Sequence, residues 1–133
     1  MTIVLDVSGA VEVVLRRAHA KKIEALLIKA EWVITPELFI CEASNVFWKY
    51  YAIQKRPKEQ CEAALKEMLE LPDEYFSGED IALEAFALSC LTRLPVYDMY
   101  YAVLTRRYDA TLVTLDRGLR AACEQQSIKV FSG

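Results

Sequence analysis

Thr2-Ile3-Val4-Leu5-Asp6 and Thr111-Leu112-Val113-Thr114-Leu115-Asp116 are short runs of β-branched and apolar residues, and each stops on an aspartate. Runs this short and this apolar fit strands buried on both faces, as in a parallel sheet, rather than the alternating pattern of a half-exposed strand. Working outward, Trp32 to Thr35 reads as another strand and Ile128 to Phe131 as the last. The intervening stretches are helical. Ser8 is placed to cap a helix through Arg17, and a second helix spans Ala20 to Lys29. Pro36 opens a long helix to about Gln54, and Pro57 restarts one through about Glu70. Helices from Glu79 to Thr92, Tyr97 to Arg107 and Gly118 to Gln126 complete the set. Strands alternating with helices predict an α/β protein, a three-layer α/β/α fold around a short, mostly parallel central sheet. In such sheets ligands bind beyond the carboxyl ends of the strands, so the strand-to-helix junctions are where function is sought.

The chain has 133 residues, 54% of them apolar, with only four glycines and four prolines, and no repeat or linker-like segment. One domain spanning residues 1–133 is expected, large enough to fold without disulfides or a structural metal. No stretch reaches the roughly 18 continuous apolar residues of a membrane span, so no membrane partner is expected. Met1 leads directly into a strand with no basic leader, which predicts a cytoplasmic protein. Cys41, Cys61, Cys90 and Cys123 match no zinc or redox spacing and read as small core residues in a reducing compartment. A net charge of -3 gives no global attraction for nucleic acid. Basic residues do cluster locally, at Arg16, Arg17, Lys21 and Lys22 and again at Lys49, Lys55, Arg56 and Lys58.

Acids occupy the junctions. Asp6 follows the first strand, Asp116 follows the Thr111 to Leu115 strand, and Asp98 opens the helix after Leu94-Pro95. Each alone is explained as a helix cap, because aspartate satisfies orphan amides and complements the helix dipole. With Ser8 available as a cap, however, Asp6 is left without a structural duty. Glu42 lies mid-helix among Leu38, Phe39, Ile40, Ala43, Val46 and Phe47, where capping does not apply. A carboxylate in so apolar a stretch reaches solvent, pairs with a cation such as Lys49, or binds a metal. Asn45, three residues on, shares its helix face and could position a carboxylate or a water. Thr114, on the strand leading to Asp116, can hydrogen-bond at the same place or simply satisfy strand propensity.

Val4-Leu5-Asp6-Val7-Ser8, Pro36-Glu37-Leu38 with Glu42-Ala43-Ser44-Asn45-Val46, Leu94-Pro95-Val96-Tyr97-Asp98, and Leu112-Val113-Thr114-Leu115-Asp116-Arg117-Gly118-Leu119 resemble, in order, the successive blocks of a PIN domain. The group most resembled is the VapC-type ribonuclease toxins of toxin-antitoxin pairs. The resemblance implies an acidic pocket of Asp6, Glu42, Asp98 and Asp116 holding Mg²⁺ or Mn²⁺, with Ser8, Asn45 and Thr114 in supporting positions. It further implies an RNA substrate, a cognate antitoxin protein and a homodimer. Arg117 and Gly118 follow Asp116 where many such proteins carry a further acid, and Gly9-Ala10-Val11-Glu12 lacks a basic or aromatic residue often found there.

Hard divalent cations prefer oxygen ligands and activate water for attack on a phosphodiester, so no side-chain nucleophile is required. His19, the one histidine, lies in a basic segment away from the acid blocks, and no glycine-rich phosphate loop exists. The reading is therefore a Mg²⁺- or Mn²⁺-dependent endoribonuclease. The alternative is a binding module of the same fold, weak or inactive in catalysis. It would act through aromatic helix surfaces carrying Phe47, Trp48, Tyr50 and Tyr51, or Tyr100 and Tyr101.

Overall fold

The computed structural model describes residues 1–132. Four parallel strands, β1 (Thr2–Leu5), β2 (Trp32–Pro36), β3 (Glu74–Phe76) and β4 (Thr111–Val113), form one sheet in the order β3-β2-β1-β4. The helices are α1 (Val7–Val14), α2 (Ala20–Lys29), α3 (Leu38–Ala52), α4 (Lys58–Leu69), α5 (Ala82–Thr92), α6 (Val96–Arg107) and α7 (Arg117–Gln125). The expected three-layer α/β/α arrangement with a parallel sheet is what forms. Ile3, Val4 and Leu5 are fully buried, as strands covered on both faces require. Helix α6 lies on β1, β2 and β4, with α5 and α7 packed against it. Met99, Ala102, Val103 and Leu104 of α6 are buried there.

The strand order matters for function. From β1 the chain first builds outward through β2 to β3, then returns to place β4 on the opposite side of β1. The carboxyl ends of β1 and β4 therefore flank the point where the winding reverses, the usual crevice of open α/β sheets.

Several boundaries differ from the sequence reading. Helix α1 starts at Val7 and is capped by Asp6, not Ser8; it stops at Val14, and Arg16 takes a left-handed conformation at φ 56°. Pro36 is the buried last residue of β2, paired with Phe76, and α3 begins after it. Lacking an N–H, proline is tolerated at a strand end. Strand β3 carries no strand signal in the sequence, because three residues that start on Glu74 give no apolar run. Ile128 to Phe131 does not form a strand but a single parallel bridge, Val130 to Leu112. Gly78–Asp80 is a 3₁₀ turn ahead of α5. Cys61 and Cys123 are core residues as expected, whereas Cys41 and Cys90 are exposed on the outer faces of α3 and α5.

Gly9 sets the spacing between α1 and β4. A Cβ at this position would stand 3.0 Å from the Val113 Cγ1 and 3.2 Å from its carbonyl oxygen. Alanine favours a helix over glycine by up to about 1 kcal/mol, while overpacking a tight contact costs roughly 1–3 kcal/mol. Gly9→Ala is expected to destabilise the protein by about 1–2 kcal/mol in urea unfolding; a neutral or stabilising result would show that α1 can move away from β4 without cost.

Candidate active site

Asp6 is the last residue before α1, and it is buried. Its Oδ1 accepts from the Gly9 amide at 2.9 Å and the Ser8 hydroxyl at 2.7 Å. Its Oδ2 accepts from the Thr114 hydroxyl at the end of β4. Thr35, buried on β2, donates to the Leu5 carbonyl at 2.7 Å and so fixes the residue just before it. Burial raises the Asp6 pKa to about 6 against the pull of its three hydrogen bonds, and the charge of Glu42 adds to the rise.

Strand β4 ends at Val113 because side chains take over from the ladder. The Leu115 amide donates to the Ser8 hydroxyl at 2.9 Å, and the Asp116 amide donates to the Thr114 hydroxyl at 3.0 Å. Ser8 thus bridges β1 and β4 instead of capping α1. Asp116 is exposed and caps α7, its Oδ1 accepting from the Leu119 amide at 2.8 Å. Asp6 and Asp116 are therefore both helix caps, so the cap explanation and a site role do not exclude each other. In Asp6 one carboxylate oxygen does the capping and the other takes the Thr114 hydroxyl.

Glu42 lies on α3 at the edge of the buried face formed by Phe39, Ala43 and Phe47. It is half-buried and accepts a short hydrogen bond from the Tyr101 hydroxyl of α6. Lys49 forms no ion pair with it. Burial raises the Glu42 pKa and the charge of Asp98 raises it further, while the Tyr101 bond opposes both. Asp98 sits half-buried in the first turn of α6 without capping it, and its pKa is raised by burial and then by the charge of Asp116. Repulsion thus links Asp6 to Glu42, Glu42 to Asp98 and Asp98 to Asp116. Among the described residues none of the four has an ion-pair partner.

Asn45 is exposed and makes no side-chain hydrogen bond among the described residues, so it is not drawn into this network. Tyr101, grouped in the sequence reading with surface aromatics, is 3% exposed and belongs to the site. Its hydroxyl pKa is pushed far up by burial and by Glu42, so it stays a proton donor. Its spacing of three from Asp98 was the available signal, because residues at i and i+3 share a helix face. His19 is not isolated from acids either: its Nδ1 lies 2.8 Å from the buried Glu12.

The donor set suits a hard cation. Its groups are oxygen acids, held near one another by separate elements and short of positive charge. Among the described residues no three His, Cys, Asp or Glu side chains are grouped closely enough to hold a metal ion by themselves.

The PIN domain family model matches residues 3–125. Ribonuclease VapC3 of Pyrobaculum aerophilum is 26% identical over 121 residues, covering 90% of this chain and 92% of that protein. The crystal structure of PAE2754 from Pyrobaculum aerophilum resembles the fold with a TM-score of 0.75 and 21% identity, over 98% of this chain and 83% of the other. FitAcB from Neisseria gonorrhoeae gives 0.66 and 16%, over 98% and 96%. FitAB bound to an IR36 DNA fragment gives 0.69 and 19%, over 97% and 93%. These structural likenesses concern the fold, and the family model adds the sequence pattern across nearly the whole chain. The chain belongs to the PIN-domain family.

Proposed function

We propose that this PIN-domain protein is a Mg²⁺- or Mn²⁺-dependent endoribonuclease and the toxin of a toxin-antitoxin pair. What supports the reading is that Asp6, at the winding reversal of the sheet, Glu42, Asp98 and Asp116 each feel the charge of the next, with no ion-pair partner among the described residues. The name of the VapC3 relative supports the substrate class. Asp6, Glu42, Asp98 and Asp116 would hold the metal, which supplies positive charge to the phosphoryl oxygens and lowers the pKa of water. Asp6 is oriented by Gly9, Ser8 and Thr114, so its position is fixed before any ligand arrives. Tyr101 fixes the Glu42 carboxylate and lends it a proton-donating partner, a positioning role. A cytoplasmic location and an antitoxin partner belong to the same reading. Leu83, Phe86 and Leu91 of α5 are exposed and offer an apolar face to a second copy. Among the described residues no helix is long and apolar enough to cross a membrane.

The test is incubation with single-stranded and structured RNAs with Mn²⁺, with Mg²⁺ and with chelator. Cleavage should require the cation, and RNA binding without cleavage under any of these conditions would assign the chain to the binding-module class instead. Asp98→Asn should abolish cleavage while leaving the metal-free protein at least as stable as wild type, because one repelling charge is gone. Mn²⁺ at a hundredfold excess over its dissociation constant should stabilise wild type by about 2.7 kcal/mol and Asp98→Asn by much less. Thermal melts with and without Mn²⁺ read this out.

The raised carboxyl pKa values fix the sign of the pH dependence. Asp6 titrates near 3.9 in an unfolded chain and near 6 in the folded one, so the folded state holds its proton more tightly. Its contribution is present below about pH 4 and is lost as pH rises to about 6, on the order of 3 kcal/mol. Glu42 and Asp98 shift in the same direction. In chelator, the stability difference between wild type and Asp6→Asn should change across this window, with wild type losing ground as pH rises. Stabilisation by Mn²⁺ should grow over the same range as the ligands ionise.

A further inference from the structure

A pocket of about 160 Å³ adjoins the acidic site across the loop after β4, lined by His19, Lys22 and Arg120 together with Leu115 and Phe131. Thr114 belongs to both places: its hydroxyl donates to Asp6, while its carbonyl accepts from Arg120 at 3.0 Å. No acid lines the pocket among the described residues. His19 is held from behind, since a single Glu12 oxygen takes both its Nδ1, at 2.8 Å, and its backbone amide, at 3.1 Å. The ring's second nitrogen is left available to a ligand. Arg120 is likewise aimed by one hydrogen bond and keeps further donors in its planar fork.

An RNA strand brought to four carboxylates is repelled by them, and a chain of net charge -3 offers no general attraction in return. Substrate must therefore be held by cationic groups beside the acids. We propose that this pocket binds the phosphate of the RNA nucleotide neighbouring the one at the acidic site, with Arg120 and the doubly protonated ring of His19 as its donors. The inference rests on the ribonuclease reading above. Leu115 and Phe131 give the adjoining sugar and base an apolar surface, the combination of cations and ring that single-stranded nucleic acid uses. Both named side chains are anchored in advance, so little side-chain freedom is lost when a phosphate docks.

The experiment measures binding of a single-stranded RNA oligonucleotide to the full chain in chelator, by fluorescence anisotropy over a range of KCl, and cleavage kinetics with Mn²⁺. Arg120→Gln and His19→Gln should each weaken RNA binding several-fold and flatten the dependence of log K on log salt by about 0.7, one single-strand phosphate contact. KM should rise by a similar factor, with kcat changing by no more than about twofold. Thermal melts accompany both variants, because Arg120 also holds the Thr114 carbonyl; among the described residues His19 hydrogen-bonds to Glu12 and not to that loop, so its variant leaves the loop's hydrogen bonds in place. Unchanged affinity, salt slope and KM in both variants, with wild type binding and cleaving RNA, would overturn the pocket while leaving the ribonuclease reading intact. Poly-glutamate displacing RNA from wild type as well as RNA itself does, at equal charge concentration, would assign the pocket to an acidic protein segment and also overturn it. Wild type that neither binds nor cleaves any RNA would instead remove the ribonuclease reading itself.

Discussion

One buried carboxylate joins three elements of this protein. Asp6 closes β1, caps α1 through the Gly9 amide and grips β4 through the Thr114 hydroxyl. A buried charge without partners is costly, and these bonds offset only part of that cost, because burial still raises its pKa to about 6. The bonds that hold the two central strands to the first helix are thus the same bonds that aim a chemical group at the crevice. Gly9 makes this possible twice, by donating its amide to Asp6 and by allowing α1 to approach β4 closely.

The rest of the acidic site is assembled from elements far apart in sequence, of which α3 and α6 are joined by the Tyr101–Glu42 hydrogen bond. Glu42 comes from α3, Asp98 from α6 and Asp116 from the start of α7. What they share is electrostatic strain, transmitted from one to the next. Packing of α6 across the sheet is what imposes it, since the same helix carries both Asp98 and the Tyr101 that holds Glu42. The fold keeps like charges together because the apolar burial of Met99, Val103 and Leu104 on that helix outweighs their repulsion.

Much of this was legible in sequence, for a physical reason. Ile3-Val4-Leu5 and Leu112-Val113 are so apolar that only a doubly covered strand accounts for them, and an acid at each end marks a junction. Helix limits set by Pro57 and Pro95 fell within a residue or two of their positions. Features governed by hydrogen bonding at a distance were not legible. Whether Asp6 or Ser8 caps α1 depends on where the Thr114 hydroxyl lies, 106 residues from Ser8. Strand β3 exists because β2 offers it an edge, not because Glu74-Tyr75-Phe76 prefers extension. Cys41 and Cys90 have apolar sequence neighbours and yet point outward, since apolar residues on α3 and α5 exceed what one buried face can hold. The partner of His19 was hidden in the same way, because Glu12 reaches it only after the chain reverses at the end of α1.

The two margins of the sheet are short. At one margin β3 offers three residues beginning with the exposed Glu74, and at the other the C-terminal segment lies over β4 through the Val130 bridge. Neither margin presents a long row of open amides and carbonyls on which a foreign strand could be templated. Association by strand addition, whether productive or amyloid-like, is thereby disfavoured. Recognition of this protein by other molecules falls to side chains on helices and loops, where a single substitution changes the choice of partner without disturbing the sheet.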